Sequence, residues 1–258
     1  MTKKRNLTKE DIDDVSTYEN ITPKNTITNN GTNLNDLQIK VKCLNEKQKF
    51  LKTAIEEKEI TISLGPAGTG KTYLSLITAL HLLKSNPIYQ RLLLIKSLTT
   101  IKGEEVGYLP GTLWEKMEPY MYSFTGNLDK IFNSRIITKS LIEKGIIEIV
   151  PIAYVRGITI DNAIVIIDET QNIDFHIFRT IITRIGKNSK MIFLGDIEQI
   201  DRKDKKESCL SRVFRMFEDK DYIGTVEFSE KDCVRNPIIP KILEVLNDNK
   251  YNKDPNAC

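Results

Sequence analysis

Eight consecutive residues, Gly65-Pro66-Ala67-Gly68-Thr69-Gly70-Lys71-Thr72, fill the pattern G-x-x-x-x-G-K-[ST] at every constrained position. Such a run constrains the fold because it works only as a turn between a strand and a helix. Both flanks meet that demand. Glu59 to Leu64 alternates polar with apolar and β-branched residues as a strand does, and Tyr73 to Lys84 carries apolar residues at helical spacing. Glycines at 65, 68 and 70 leave room for backbone N–H groups to converge on phosphate oxygens, and the start of the following helix adds a partial positive charge. Lys71 is placed to reach the β and γ phosphates of a nucleoside triphosphate, and Thr72 to put its hydroxyl on the magnesium ion that bridges them. Gly65, Pro66, Ala67, Gly68, Thr69, Gly70, Lys71 and Thr72 are therefore the candidate nucleotide-binding residues. A bare strand-to-helix turn is the competing reading.

Further apolar runs recur at Arg91 to Ile95, Gly145 to Val150, Ala163 to Ile167, Lys190 to Leu194 and Ile223 to Phe228. Helical patterns separate most of them, at Leu113 to Phe124, Ile136 to Lys144, Phe175 to Ile185 and Leu210 to Phe217. Strands apolar on both faces, alternating with helices, predict an α/β fold with a mostly parallel sheet covered on two sides. The 258 residues suit one such domain. Residues 1–42 are rich in Asn, Thr, Lys and Asp and predict a flexible polar arm, with Ile21, Ile27, Leu34, Leu37 and Val41 leaving open a strand that pairs with a neighbouring subunit. The folded domain is expected over 43–250, opening with a helix capped by Asn45 that buries Phe50, Leu51, Ala54 and Ile55. Residues 251–258 read as a C-terminal tail.

A second edge motif lies about a hundred residues on. Ile164-Val165-Ile166-Ile167-Asp168-Glu169 is an apolar strand ending in two carboxylates, the arrangement that delivers acids to the carboxyl rim of a sheet. Asp168 fits the magnesium-linked aspartate that a phosphate loop requires on a neighbouring strand. Glu169 fits a base for the water that attacks the γ-phosphate. Met191-Ile192-Phe193-Leu194-Gly195-Asp196-Ile197-Glu198-Gln199 ends a third strand, and the Gln199 amide suits a contact with that phosphate or water. Asp196 is as well suited to capping the next turn.

The segments GPAGTGKT, IIDETQN and LGDIEQID together resemble the PhoH-like ATPases, relatives of the superfamily 1 helicase core. Lys102 to Gly111, Trp114 to Tyr120, Pro151 to Gly157, Thr183 to Gly186 and Val234 to Pro237 are similar to further elements of that family, in the family's order. The chain departs from the family at Ile95-Lys96-Ser97, where an arginine is usual, and at Thr170 and Asn236. Lys96 keeps the charge but loses the planar fork of arginine. The resemblance implies a single RecA-like domain, ATP and magnesium as ligands, and an adenine-reading role for Gln48. It also implies an arginine finger, for which Arg235 leads and Arg184 and Arg156 are alternatives. Too little chain follows the third motif for the second lobe of a helicase, so the expected assembly is a homo-oligomeric ring, with six subunits implied by the family.

The expected activity is hydrolysis of ATP coupled to single-stranded nucleic acid, RNA ahead of DNA. Lys102 to Leu109, with Tyr108, and Arg202 to Lys206 are the candidate contacts. A formal net charge of +3 is compatible with that partner without requiring it. A nucleotide-dependent binding switch and a small-molecule kinase are the competing classes; the paired acids and Gln199 argue against the kinase. Four scattered cysteines, no bilayer-length apolar run and a polar start predict reduced thiols in a cytoplasmic protein with no membrane partner.

Overall fold

Strands that are apolar at every position need cover on both faces, and this sheet has it. In β2 (Arg91–Lys96) Leu92 and Leu94 face one side while Leu93 and Ile95 face the other; in β4 (Ala163–Asp168) Ile164 and Ile166 oppose Val165 and Ile167. The first set joins Leu51 and Ile55 of α1 (Glu46–Glu57), Leu76 and Leu80 of α2 (Lys71–Ser85), Phe124 and Leu128 of α3 (Leu113–Phe132) and Leu141 of α4 (Arg135–Glu143). The second joins Phe178 and Ile181 of α5 (Phe175–Ile182) and Leu210, Val213 and Phe214 of α6 (Cys209–Phe217). Fully burying each such side chain contributes about 2 kcal/mol.

The computed structural model describes residues 33–97, 113–196 and 209–236 and positions 238, 241, 242 and 245, the side chains of 113–120 and 153 excepted. Among the described residues the sheet has six strands, with β1 (Ile60–Leu64), β3 (Ile147–Pro151), β5 (Lys190–Gly195) and β6 (Ile223–Glu227) completing it. Their order is β3-β2-β4-β5-β1-β6, and all five pairings are parallel. The α/β sheet with helices on both faces is therefore as the apolar runs predict, and it is the RecA-like arrangement.

One expectation about the sheet needs correcting. Asp168 does not lie on a strand neighbouring β1, because β5 is inserted between β1 and β4. The two motifs still meet, since α2 crosses the sheet face and packs against β2, β4 and β5.

Local departures have local causes. Phe50 is 60% exposed, because the buried stripe of α1 runs Gln48, Leu51, Ile55 and leaves Phe50 one residue off that face. Helix α3 runs on to Phe132, past Thr125-Gly126-Asn127, where buried Leu128 outweighs the weak helix propensity of those three. Helix α5 stops at Ile182, and Ile185 instead bridges to Ile160. Residues 33–42, assigned above to the arm, lie on the domain: Leu34 is buried, Leu37, Ile39 and Val41 pack against the α1 side of the core, and Lys84 Nζ donates to the Leu37 carbonyl at 2.6 Å. The spaced apolar residues of that segment bury enough surface to hold it down.

Candidate active site

The register of the sheet brings the three edge motifs level. Leu64 at the end of β1 is opposite Gly195 at the end of β5, and the ladder continues one step further as Gly65 N–H donates to the Gly195 carbonyl at 3.2 Å. The phosphate loop rises from this rim and ends at Gly70, which caps α2 with φ +85°. A side chain would be strained there, and a Cβ would sit 2.9 Å from Gln48 Nε2. No side chain caps the helix, so the N–H groups of its first turn are not claimed by a capping side chain, which suits an anion.

Lys71 opens the helix and is only 8% exposed. Its ammonium donates to the carbonyls of Gly65 at 2.6 Å and Pro66 at 2.8 Å and to Thr69 Oγ1 at 3.3 Å. Burial lowers its pKa, Asp196, Asp168 and Glu169 oppose that shift, and Arg235 adds to it. These five charged groups therefore share one field.

At the end of β4, Asp168 Oδ2 accepts from Thr72 Oγ1 at 3.2 Å and Oδ1 accepts from the Glu169 N–H at 3.0 Å. Burial, with the neighbouring Glu169 charge behind it, raises the Asp168 pKa to about 6. Its charged form is thus disfavoured in the fold, so its stabilising contribution is present below the unfolded value of 3.8 and lost as pH rises through about 6. A cation at this carboxylate reverses the balance. Magnesium-dependent stabilisation, read as a melting-temperature shift with nucleotide present, is expected to weaken as pH falls below about 6, where a proton competes for Asp168. An equal shift at pH 5 and pH 7.5 would show that Asp168 holds no cation.

The residues present fit magnesium. Among the described residues no group of three or more His, Cys, Asp or Glu side chains is placed to hold a metal alone. A hydroxyl and one carboxylate, with phosphate oxygens and water completing the shell, is how magnesium is commonly bound. Lys96 lies opposite Asp168 in the strand register, donates to Ser123 Oγ at 3.0 Å, and partly offsets the burial of that carboxylate.

Around these groups lies a cleft of about 460 Å³, lined in part by Lys71, Thr72, Asp168, Glu169, Asp196 and Arg235. Val234 N–H donates to the Gly68 carbonyl at 2.9 Å, which brings Arg235 to the loop from within the same chain. Arg156 and Arg184 do not line this cleft; Arg184 donates to the Thr180 carbonyl and to Thr183 Oγ1. Gln48 is buried. Its Oε1 accepts from Leu44 N–H at 2.8 Å and its Nε2 donates to the Thr69 carbonyl at 2.9 Å, at the wall of an adjoining cleft of about 390 Å³ shared with Tyr73, Lys130 and Arg235. Gln199, Lys102 to Leu109 and Arg202 to Lys206 lie outside the described residues. Asn127 and Lys130 of α3, which also line the main cleft, carry no local motif that marks them.

Comparison with known proteins matches the family model described as PhoH-like protein over residues 40–247. The chain belongs to the PhoH family. It is 38% identical over 206 residues to a PhoH-like protein of Bacillus subtilis (strain 168), covering 80% of this chain and 63% of that one. A PhoH-like protein of Mycobacterium tuberculosis (strain H37Rv) is 36% identical over 206 residues, 80% of this chain and 57% of its own. Protein PhoH of Escherichia coli (strain K12) is 34% identical over 200 residues, 77% and 56% of the two chains. The chain thus spans less than two thirds of the length of these relatives. The match includes every site residue named above, and PhoH membership with a phosphate-loop fold implies nucleotide binding. No helix among the described residues is long and apolar enough to cross a membrane.

Proposed function

We propose that this PhoH-family chain is a magnesium-dependent ATP hydrolase. The observation that supports it most is the meeting of Thr72 and Asp168, 3.2 Å apart at the uncapped start of α2, in one cleft with Lys71, Glu169 and Arg235. Bound magnesium would supply charge neutralisation on the β and γ phosphate oxygens. The loop N–H groups and the α2 terminus bind the phosphates, and Lys71 turns from its loop carbonyls to them. Glu169 accepts the proton of a water whose oxygen bonds to the γ-phosphorus as the bond to the bridging oxygen breaks, leaving ADP and phosphate. Arg235 offers its guanidinium to the charge that develops, and one unused N–H and lone pair of Gln48 read adenine.

The test is phosphate release from ATP and magnesium without any added acceptor. Release supports a hydrolase; transfer only to an added acceptor identifies a kinase, and binding without release identifies a switch. Arg235→Ala is expected to lower kcat about 30-fold, below the full effect of a desolvated arginine finger because the side chain is exposed. Since Arg235 acts here within its own chain, mixing this variant with Lys71→Ala should recover nothing. Recovery on mixing would place the arginine in a neighbour's site.

Coupling to single-stranded nucleic acid, RNA ahead of DNA, and assembly into a six-membered ring extend the proposal through the helicase-like motifs. ATPase rates with and without single-stranded RNA and DNA, and the mass of the assembly in solution, test these two extensions. Unchanged rates reject the coupling, and a monomer with full activity rejects the ring.

A further inference from the structure

The turn after Glu169 holds a side chain that the chemistry above leaves without a task. Gln171 is 1% exposed, in a short turn spanning Thr170–Asn172 at the end of β4. Its Nε2 donates to Glu169 Oε2 at 2.7 Å, and its Oε1 accepts from the Asp196 N–H at 3.1 Å. Chemistry alone fixes which way this amide points, because an ionised carboxylate only accepts and a backbone N–H only donates. The two bonds span from the end of β4 to the end of β5.

Two features indicate that this bridge is built for. Glu169 has φ +57°, a left-handed conformation that a non-glycine residue adopts only when its surroundings hold it there. The turn does part of the holding: Thr170 Oγ1 donates to the Ile167 carbonyl at 3.1 Å and Asn172 N–H to the Glu169 carbonyl at 3.0 Å. On the β5 side, residue 195 is glycine. A Cβ there would lie 2.7 Å from Gln171 Oε1 and would also meet Leu210 Cδ2, so the amide reaches Asp196 only across a bare backbone.

We propose that Gln171 is a positioning residue that aims Glu169, its amide tying the carboxylate to the carboxyl end of β5. The inference rests on the reading of Glu169 as the base for the attacking water. The amide holds one of the two carboxylate oxygens of Glu169, a residue that lines the cleft. Gln171 itself does not line that cleft. The end of β5 also accepts from the start of the phosphate loop, Gly65 N–H to the Gly195 carbonyl, so β5 connects that loop to the carboxylate that Gln171 holds.

The test compares full-length native protein, Gln171→Met, Glu169→Gln and the double variant. Gln171→Met preserves volume and removes the hydrogen bonds to Glu169 and Asp196. It is expected to lower kcat about 10- to 100-fold while the Kd for a non-hydrolysable ATP analogue stays within about twofold. Added to Glu169→Gln it should cost no more than about a further twofold, since both changes act through one carboxylate. Native kcat in Gln171→Met overturns the inference. So does a parallel loss of nucleotide affinity, which marks a structural part, and so does a fully additive double variant. If Gln171→Met melts below the assay temperature, Gln171→Glu takes its place. That variant keeps an acceptor for Asp196 but sets a carboxylate against Glu169, and the same fall in kcat with affinity kept is expected. Native turnover in Glu169→Gln would sink the base assignment itself, separately from anything Gln171 does.

Discussion

Lys71→Ala is expected to fold normally and to lose ATP turnover, with kcat/KM down about 10³-fold. The fold survives because the ammonium contributes to the site and little to the core. It is buried at a helix start, its pKa is pushed down by that burial, and its partners are carbonyls and a hydroxyl of its own loop. Removing a charge that burial disfavours relieves a cost, while Leu74, Leu76 and Leu80 keep α2 on the sheet. The loss is therefore specific to phosphate. Thermal unfolding with and without nucleotide and magnesium separates the two effects: the native chain gains stability from the ligand and the variant should not. Turnover at the native rate in Lys71→Ala would refute the phosphate-loop chemistry altogether.

Glu169→Gln is expected to retain nucleotide and to lose the chemical step, with kcat down about 10³-fold and affinity near native. In the proposed mechanism the charge that holds the cation is on Asp168, which this substitution leaves in place along with its bond from Thr72. What disappears is the acceptor proposed for the proton of water. Single-turnover phosphate release against equilibrium binding measures the split. If affinity fell as far as kcat, Glu169 would belong to the cation or phosphate shell and would not be the base.

Most of the loop half of this candidate site was legible in the chain. Gly65 to Thr72 announces itself because backbone geometry, helix electrostatics and one lysine all fall within eight residues, so what shapes the loop is local. The acids at 168 and 169 were legible for a related reason: an apolar strand that stops at a carboxylate can only be delivering it to a sheet edge. The order of strands was not legible. Nothing between residues 72 and 168 says that β5, made later, inserts between the strands that carry the two motifs. The burial of Gln48 and its two hydrogen bonds were not legible, because they depend on Leu44 and Thr69 meeting in space. Lys130 and Asn127 reach the cleft from the second half of a helix, beyond both its apolar pattern and its family-like stretch at Trp114 to Tyr120. Phe50 misled because an apolar residue one step off the buried face looks the same in sequence as one on it. The length of α3 was misjudged because Gly126 reads as a stop, whereas the burial of Leu128 is a tertiary fact.

The insertion of β5 has a consequence for the birth of the protein. Strand β1 is among the earliest strands to leave the ribosome, yet its partners, β5 and β6, begin only at Lys190 and Ile223. Until synthesis has passed those points, Ile62 and Leu64 lack both of their partner strands, and among the described strands only β2 with β3 and β4 can close a ladder. A nascent chain halted before residue 190 carries the whole lysine-bearing loop but neither strand that flanks β1, so the rim from which the loop rises is completed late.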